Sequence, residues 1–278
     1  DYLSTKGLRS VACDMRGHSP GASPQNYEAY NYNELAKDVF AIADASAYDK
    51  FHVVAHDQGA RLAWHTIAAS AGRERYLSLT SISIPHTDVF SDSLVGPLAD
   101  PIQQHGFQYM TIFTLNTPES LKKSVELLYK YPEPIDKLER RTWWYKGGVD
   151  AGNLALPPKE ADRYPEFPHS APEYGDDGTP AKHRAGHVDL PVTYICGDFD
   201  NCGKGYPFSS QTKALCDGAY TYVELPSCRH DILPCEIMGN TTADAICDGS
   251  ACGLYTDSGS KVWDAIMGNI ALASVAVV

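Results

Sequence analysis

Five short apolar runs, Leu8 to Cys13, Phe51 to Ala55, Leu79 to Ile84, Val192 to Cys196 and Tyr220 to Leu225, are bounded by turn residues and rich in Val, Ile and Tyr. Runs of this kind read as strands buried on both faces of a parallel sheet. Between them, positions 33 to 47 carry Leu35, Val39, Phe40 and Ile42 at helical spacing, and Gly59 to Ser70 continues in the same way. Both segments predict amphipathic helices lying on a sheet. Strand, helix, strand, helix implies an α/β fold with a doubly wound, mostly parallel sheet.

That rhythm stops after Ile84 and resumes near Val192. The interval holds a helical pattern around Ser120 to Tyr131 and then a Pro-, Gly- and Asp-rich segment from Leu156 to Gly186. It predicts a mainly helical cap, residues 87–187, inserted over the carboxyl edge of a core built from residues 1–86 and 188–278. The Pro-rich part is expected to wrap the surface as loop. No internal repeat is visible.

Composition narrows the partners. The chain of 278 residues can hold one large domain with an insertion. A formal net charge of −12 without clustered Lys and Arg excludes a nucleic-acid partner. No window approaches the roughly 20 apolar residues of a membrane span, so the chain reads as soluble. It begins at Asp1 without Met or a charged-then-apolar leader, as a processed chain or a fragment does. Eight cysteines, six of them at positions 202 to 252, and the sequon Asn240-Thr241-Thr242 lean toward a secreted or other oxidising compartment. The disulfide pairing stays open.

The chemistry sits just past the predicted strands. Ala55-His56-Asp57-Gln58-Gly59-Ala60 follows one strand and opens a helix, the setting of a nucleophile elbow with Asp57 in the place usually held by Ser. Small residues at 55 and 59 leave room for the backbone to double back. Taken alone, Asp57 fits a helix N-cap equally well. Two further strands run into Asp198-Phe199-Asp200 and into Ser227-Cys228-Arg229-His230. Residues beyond the carboxyl ends of parallel strands converge on one crevice, so Asp57, Asp200 and His230 are candidates for a triad.

An aspartate nucleophile has its own logic. A serine attacking a saturated carbon leaves a stable ether, whereas a carboxylate leaves an ester that water can remove. Asp57 is ionised at neutral pH and needs no activating base, so His230 is free to deprotonate that water while Asp200 orients the imidazole. The backbone N–H of Gln58 is placed to receive the oxyanion, and His56 to line the site.

Over most of its length the chain resembles the epoxide hydrolases of the α/β-hydrolase superfamily. The resemblance rests on Asp14-Met15-Arg16-Gly17-His18-Ser19, His56-Asp57-Gln58-Gly59-Ala60, Ile84-Pro85-His86 and Gly197-Asp198-Phe199-Asp200. It implies Asp200 as the triad acid. It also implies that Tyr109, in Phe107-Gln108-Tyr109, and Tyr145, in Trp143-Trp144-Tyr145-Lys146, donate hydrogen bonds to an epoxide oxygen. The implied partners are a small apolar epoxide or halogenated substrate and water, with no cofactor and no metal. Three departures stand out. The His-Gly-X-Pro turn that supplies a second oxyanion N–H is absent upstream of Asp14, so the chain reads as N-terminally truncated. Gln58 stands where many relatives have Trp, and Arg229 and Asp231 flank His230 where Gly and an aromatic are common.

Rival readings follow from the same residues. A haloalkane or haloacid dehalogenase uses the same triad, and Arg61, the nearest cation to the elbow, is expected to run along its helix. A non-catalytic binding member is the rival of another class. A zinc site from Cys196, Cys202, Cys228, His230 and Cys235 lacks a paired Cys-X-X-Cys knuckle.

Overall fold

The computed structural model describes residues 2–19, 21–68, 70–127, 135–160, 163–164, 167, 178–198, 200, 206–225, 228–230 and 258–275. Four strands, β1 (Phe51–His56), β2 (Tyr76–Ile82), β3 (Val192–Gly197) and β4 (Tyr220–Leu225), pair in parallel in the spatial order β1-β2-β3-β4. Every carboxyl end therefore opens on the same edge.

The central strands β2 and β3 are buried on both faces, as apolar runs of a parallel sheet are, whereas Val54 on the edge strand β1 is 42 % exposed. On β3, Val192, Tyr194 and Cys196 enter one cluster with Trp64, Ile67 and Leu79, while Ile195 joins Ile82, Leu225, Val262 and Ile266 in another. After the short helix α1 (Tyr2–Thr5) and a 3₁₀ turn (Tyr27–Tyr30) comes α2 (Tyr32–Ala45). The Asn31 side chain caps it by accepting from the backbone N–H of Asn33 and Glu34 at 3.0 and 3.1 Å. Helix α2 packs on α3 (Gln58–Ala68), which lies on β1 and β2 and is followed by α4 (Ser70–Arg75).

The expected strand at Leu8 to Cys13 is irregular chain. Val11 is 46 % exposed, and no described strand offers residues 8–13 the ladder of hydrogen bonds that extended backbone needs.

Among the described residues between β2 and β3 lie five helices: α5 (Thr87–Leu94), α6 (Pro101–Gly106), α7 (Tyr109–Leu115), α8 (Pro118–Leu127) and α9 (Ile135–Asp150). Helix α8 realises the pattern read over 120–131 as far as Leu127, and the remainder lies outside the described residues. The inserted helices share the core rather than forming a second one. Phe90, Phe107, Met110, Phe113 and Tyr145 belong to the same cluster as Trp64, Leu79 and Tyr194. Burying such side chains contributes about 1.5–3 kcal/mol each. A satellite cluster of Tyr30, Tyr32, Leu35, Leu62, Trp143 and Trp144 ties α9 to α2, and Trp144 Nε1 donates to the Arg16 carbonyl at 3.0 Å.

One carboxylate clasps the two ends of the insertion. Asp88, in the first turn of α5, accepts backbone N–H bonds from Ala185 and Gly186, both at 2.9 Å. Arg184 forks onto Asp92 at 2.8 Å. His86 donates through Nε2 to the Gly186 carbonyl at 3.0 Å and accepts from Asp88 N–H at 3.1 Å, and burial pulls its pKa down to about 4. The stretch from Leu156 to Gly186 is not purely surface loop: Leu156 is buried and bridges Thr179.

Helix α10 (Phe208–Ala214) precedes β4, and α11 (Ser258–Val275) covers β2, β3 and β4 on the other face. Among the described residues no helix is long and apolar enough to cross a membrane. Cys13, Cys196 and Cys216 are free thiols. Cys202, Cys235, Cys247, Cys252 and the Asn240 sequon lie outside the described residues.

Candidate active site

Asp57 sits on the turn between β1 and α3 with φ +48°, the left-handed region that L side chains rarely occupy. Its N–H reaches the Ile82 carbonyl at 3.3 Å, and its carbonyl starts helix α3 by accepting from Arg61 N–H at 3.0 Å. Strand register and helix start thus hold the bend from both sides. The strain rests on Asp57 itself, because a Cβ added at Gly59 would meet Ala55 Cβ only at an ordinary 4.0 Å.

The three residues read from separate strand ends meet. His230 Nε2 lies 3.2 Å from Asp57 Oδ1, and its Nδ1 lies 3.1 and 3.2 Å from the two oxygens of Asp200. The Asp200 side chain is 2 % exposed, whereas those of Asp57 and His230 are 33 % and 37 % exposed. The pair at the tip is therefore reachable by a ligand and the third member is not. Asp198 lies on the same turn, but it is Asp200 that faces the imidazole.

His230 is held by its main chain as well. Its carbonyl accepts from His56 Nε2 at 2.9 Å and from Ser83 Oγ at 2.7 Å, and the His56 ring lies 5.1 Å from the His230 ring. Ser83 has φ +63° at the end of β2, a second strained residue facing the same loop. The third support is Gly197. A Cβ there would run into the Cys228 carbonyl, 2.6 Å from its carbon, and would lie 2.7 Å from the Arg229 oxygen. Only glycine lets the end of β3 lie flat against the chain that delivers His230.

Charge follows from this geometry. Burial pushes the Asp57 carboxyl up, but the hydrogen bond and charge of His230, then Arg61 and His56, outweigh it and hold Asp57 well below the ordinary carboxylate range. Burial pulls His230 down, yet Asp200 and then Asp57 outweigh it and hold the imidazole well above its ordinary value. The two aspartates facing the imidazole thus favour its protonated form.

The insertion contributes the opposite wall. Tyr109 and Tyr145 stand edge to face with ring centroids 6.3 Å apart, and both pack on Phe113. Burial, then the charges of Tyr109 and Asp57, push the Tyr145 phenol well up, so it is a neutral donor that senses the nucleophile. Gln58 occupies the floor. Its Oε1 accepts from Tyr32 OH at 2.8 Å, and its Nε2 is buried without a well-formed hydrogen bond beside the Tyr145 phenol. The first N–H of α3, that of Gln58, has no acceptor within the helix and is free to meet an oxyanion.

Two neighbours of the triad stand otherwise than the sequence suggests. Tyr32 lies one position before the helical pattern read from residue 33 and begins helix α2. Arg61 does not run along the helix surface: it is 2 % exposed, stacked on Phe90 at 4.3 Å, with Nη1 3.9 Å from the Met110 sulfur. Nothing local in the sequence distinguishes a buried Arg61 from an exposed one. His105, by contrast, is an exposed residue paired with Glu160 at 2.7 Å. No group of three His, Cys, Asp or Glu poised to hold a metal occurs among the described residues, and Cys202 and Cys235 lie outside them.

Known proteins agree with this architecture. Epoxide hydrolase 4 of Mus musculus is 28% identical over 121 residues, 41% of this chain and 33% of that protein. The AB hydrolase superfamily protein YfhM of Bacillus subtilis (strain 168) is 32% identical over 119 residues, 42% and 40% of the two chains. These matches span well under half of either relative's length. Among solved structures, a metagenomic epoxide hydrolase from a hot environment superposes with TM-score 0.56 at 21% identity, covering 78% of this chain and 74% of that one. An epoxide hydrolase variant from Solanum tuberosum gives TM-score 0.57 at 17% identity, covering 96% and 86%. The alpha/beta hydrolase fold family matches residues 1–233, and the chain belongs to that family.

Proposed function

We propose that the chain opens epoxides to diols through an ester on Asp57, with residues 87–187 acting as a cap over the site. The observation that carries this reading is the His230 imidazole spanning Asp57 and Asp200 at 3.2 and 3.1 Å on the nucleophile turn. In the first step an Asp57 oxygen bonds to a ring carbon, the ring C–O bond breaks and its electron pair passes to the oxygen. Tyr109 and Tyr145 donate hydrogen bonds to that oxygen, and one phenol supplies the proton.

Alkylation then sets the timing of the second step. It erases the Asp57 charge, one of the two that favour the protonated imidazole, so His230 gives up its proton, which returns through water to the phenolate left by ring opening, and becomes a base. It deprotonates water, hydroxide adds to the ester carbonyl, and the Gln58 N–H receives the oxyanion. The acyl C–O bond then breaks, and the proton carried in by hydroxide passes to the leaving alkoxide, which releases the diol and restores the carboxylate, with His230 again protonated.

The test is trapping. A His230→Gln variant treated with an epoxide is expected to gain the full substrate mass, localised to Asp57. A haloalkane adduct would lack the mass of the hydrogen halide, so the same measurement reports the dehalogenase reading. No mass gain and no diol from the unmodified protein would leave a binding role instead.

A further inference from the structure

Arg61 is a permanent cation inside the pocket to which the ester route gives no task. Its Nε and Nη2 are buried without a well-formed hydrogen bond, its Nη1 meets a thioether, the Tyr32 phenol lies within hydrogen-bonding reach of the guanidinium, and it forms no ion pair with a carboxylate among the described residues. Burying a charge on these terms is costly unless the surroundings compensate it. The surroundings are specific. Arg61 lies one helical turn beyond Asp57, with its N–H on the Asp57 carbonyl at 3.0 Å, and under the inserted helices between Phe90 and Met110. Burial works against its charge, but Tyr109, Tyr145, Tyr32 and Asp57, in that order, favour it. In turn Arg61 makes the Tyr145 and Tyr32 phenols more acidic.

Position matters because ring opening moves one negative charge. Before it, the charge is on Asp57. After it, the charge lies on the ring oxygen and the phenols that hold it, on the side of the inserted helices, where the guanidinium rests against Phe90 and beside Met110, the chain neighbour of Tyr109. A fixed cation on that side favours the transition state over the ground state, and the low dielectric magnifies the difference. Arg61 exchanges no proton and forms no bond.

We propose that Arg61 is a positioning residue for ring opening, its buried guanidinium stabilising the negative charge that passes from Asp57 to the oxygen held by Tyr109 and Tyr145. This rests on the Asp57 ester reading. The test is single-turnover stopped-flow tryptophan fluorescence with styrene oxide on the unmodified protein, Arg61→Met and Arg61→Lys. Arg61→Met is expected to slow alkylation about 100-fold and ester hydrolysis by less than about threefold, with Arg61→Lys recovering at least about tenfold of the alkylation loss. The loss is expected to shrink for a trifluoromethyl-substituted epoxide, whose ring oxygen leaves more readily. Equal slowing of both steps, or no rescue by Lys, would overturn the proposal. So would an unchanged alkylation rate for styrene oxide with weakened binding of 3-phenylglycidate alone, which would make Arg61 an anchor for substrate carboxylates. If Arg61→Met fails to fold, Arg61→Gln takes its place beside Arg61→Lys. An unmodified protein that forms no ester with any epoxide sinks the ester reading and this inference together, whereas normal ester formation with no effect at Arg61 sinks the inference alone.

Discussion

The two walls of the pocket are built by opposite rules. On the core wall, both nitrogens of His230 face carboxylate oxygens, and the His230 carbonyl is fixed by His56 and Ser83. On the wall shared with the insertion, Gln58 Nε2 and Arg61 Nε and Nη2 are buried without well-formed hydrogen bonds, beside the phenols of Tyr145 and Tyr32. Buried polar groups are normally paired, so under the proposed ester route these donors mark where charge would arrive. On that proposal one wall holds negative charge at rest and the other receives it.

The largest effect that would break this contrast is Asp57→Asn. It should lower kcat about 10⁴-fold or more, because no other carboxylate lies on the elbow. It should also lower the His230 pKa, read by NMR, since one of the two anions raising it is gone. An unmoved titration would mean that the core wall does not hold its charge as a unit. Stability carries the same signature with a definite sign. A raised imidazole stabilises the fold fully below its ordinary pKa, and that contribution is lost as pH rises through the folded value. The Tm advantage of the unmodified protein over His230→Gln should therefore shrink at alkaline pH.

Tyr145→Phe probes the other wall. Losing one donor to the ring oxygen should slow alkylation about 10²- to 10³-fold and leave ester hydrolysis comparatively intact. Equal loss in both steps would erase the distinction between the walls. Smallest is Gly197→Ala, which touches neither substrate nor charge. Displacing the Cys228–Arg229 backbone should cost about 1–3 kcal/mol in denaturant unfolding. The shift it imposes on His230 should slow ester hydrolysis on the order of 10²-fold, with alkylation less affected.

What the sequence revealed follows the same division. Asp57, Asp200 and His230 were legible because each stands just past an apolar run, and parallel pairing brings such ends together without knowledge of any side-chain contact. The runs that became β1 to β4 were legible as short apolar segments rich in Val, Ile and Tyr and bounded by turn residues. Arg61, Tyr32 and Gly197 were not. Arg61 is explained by Phe90 and Met110, 29 and 49 positions away, and Gly197 by the approach of Cys228. Leu8 to Cys13 misled for a related reason: composition favours a strand, but a strand exists only where a neighbour pairs with it. The cysteines at 202, 235, 247 and 252 fall outside the described residues and leave the reading of an oxidising compartment where the sequence put it.

The Asp88 clasp has an evolutionary corollary. Because the segment leaves and rejoins the sheet where Asp88 grips the amides of Ala185 and Gly186, with Asp92 on Arg184 and His86 on the Gly186 carbonyl beside it, the two attachment points are tied to each other independently of what lies between them. Lengthening, shortening or exchanging the intervening helices leaves the strand ends where they are. On the proposed function, a rebuilt segment between residues 87 and 187 would alter substrate preference while Asp57, Asp200 and His230 keep their places.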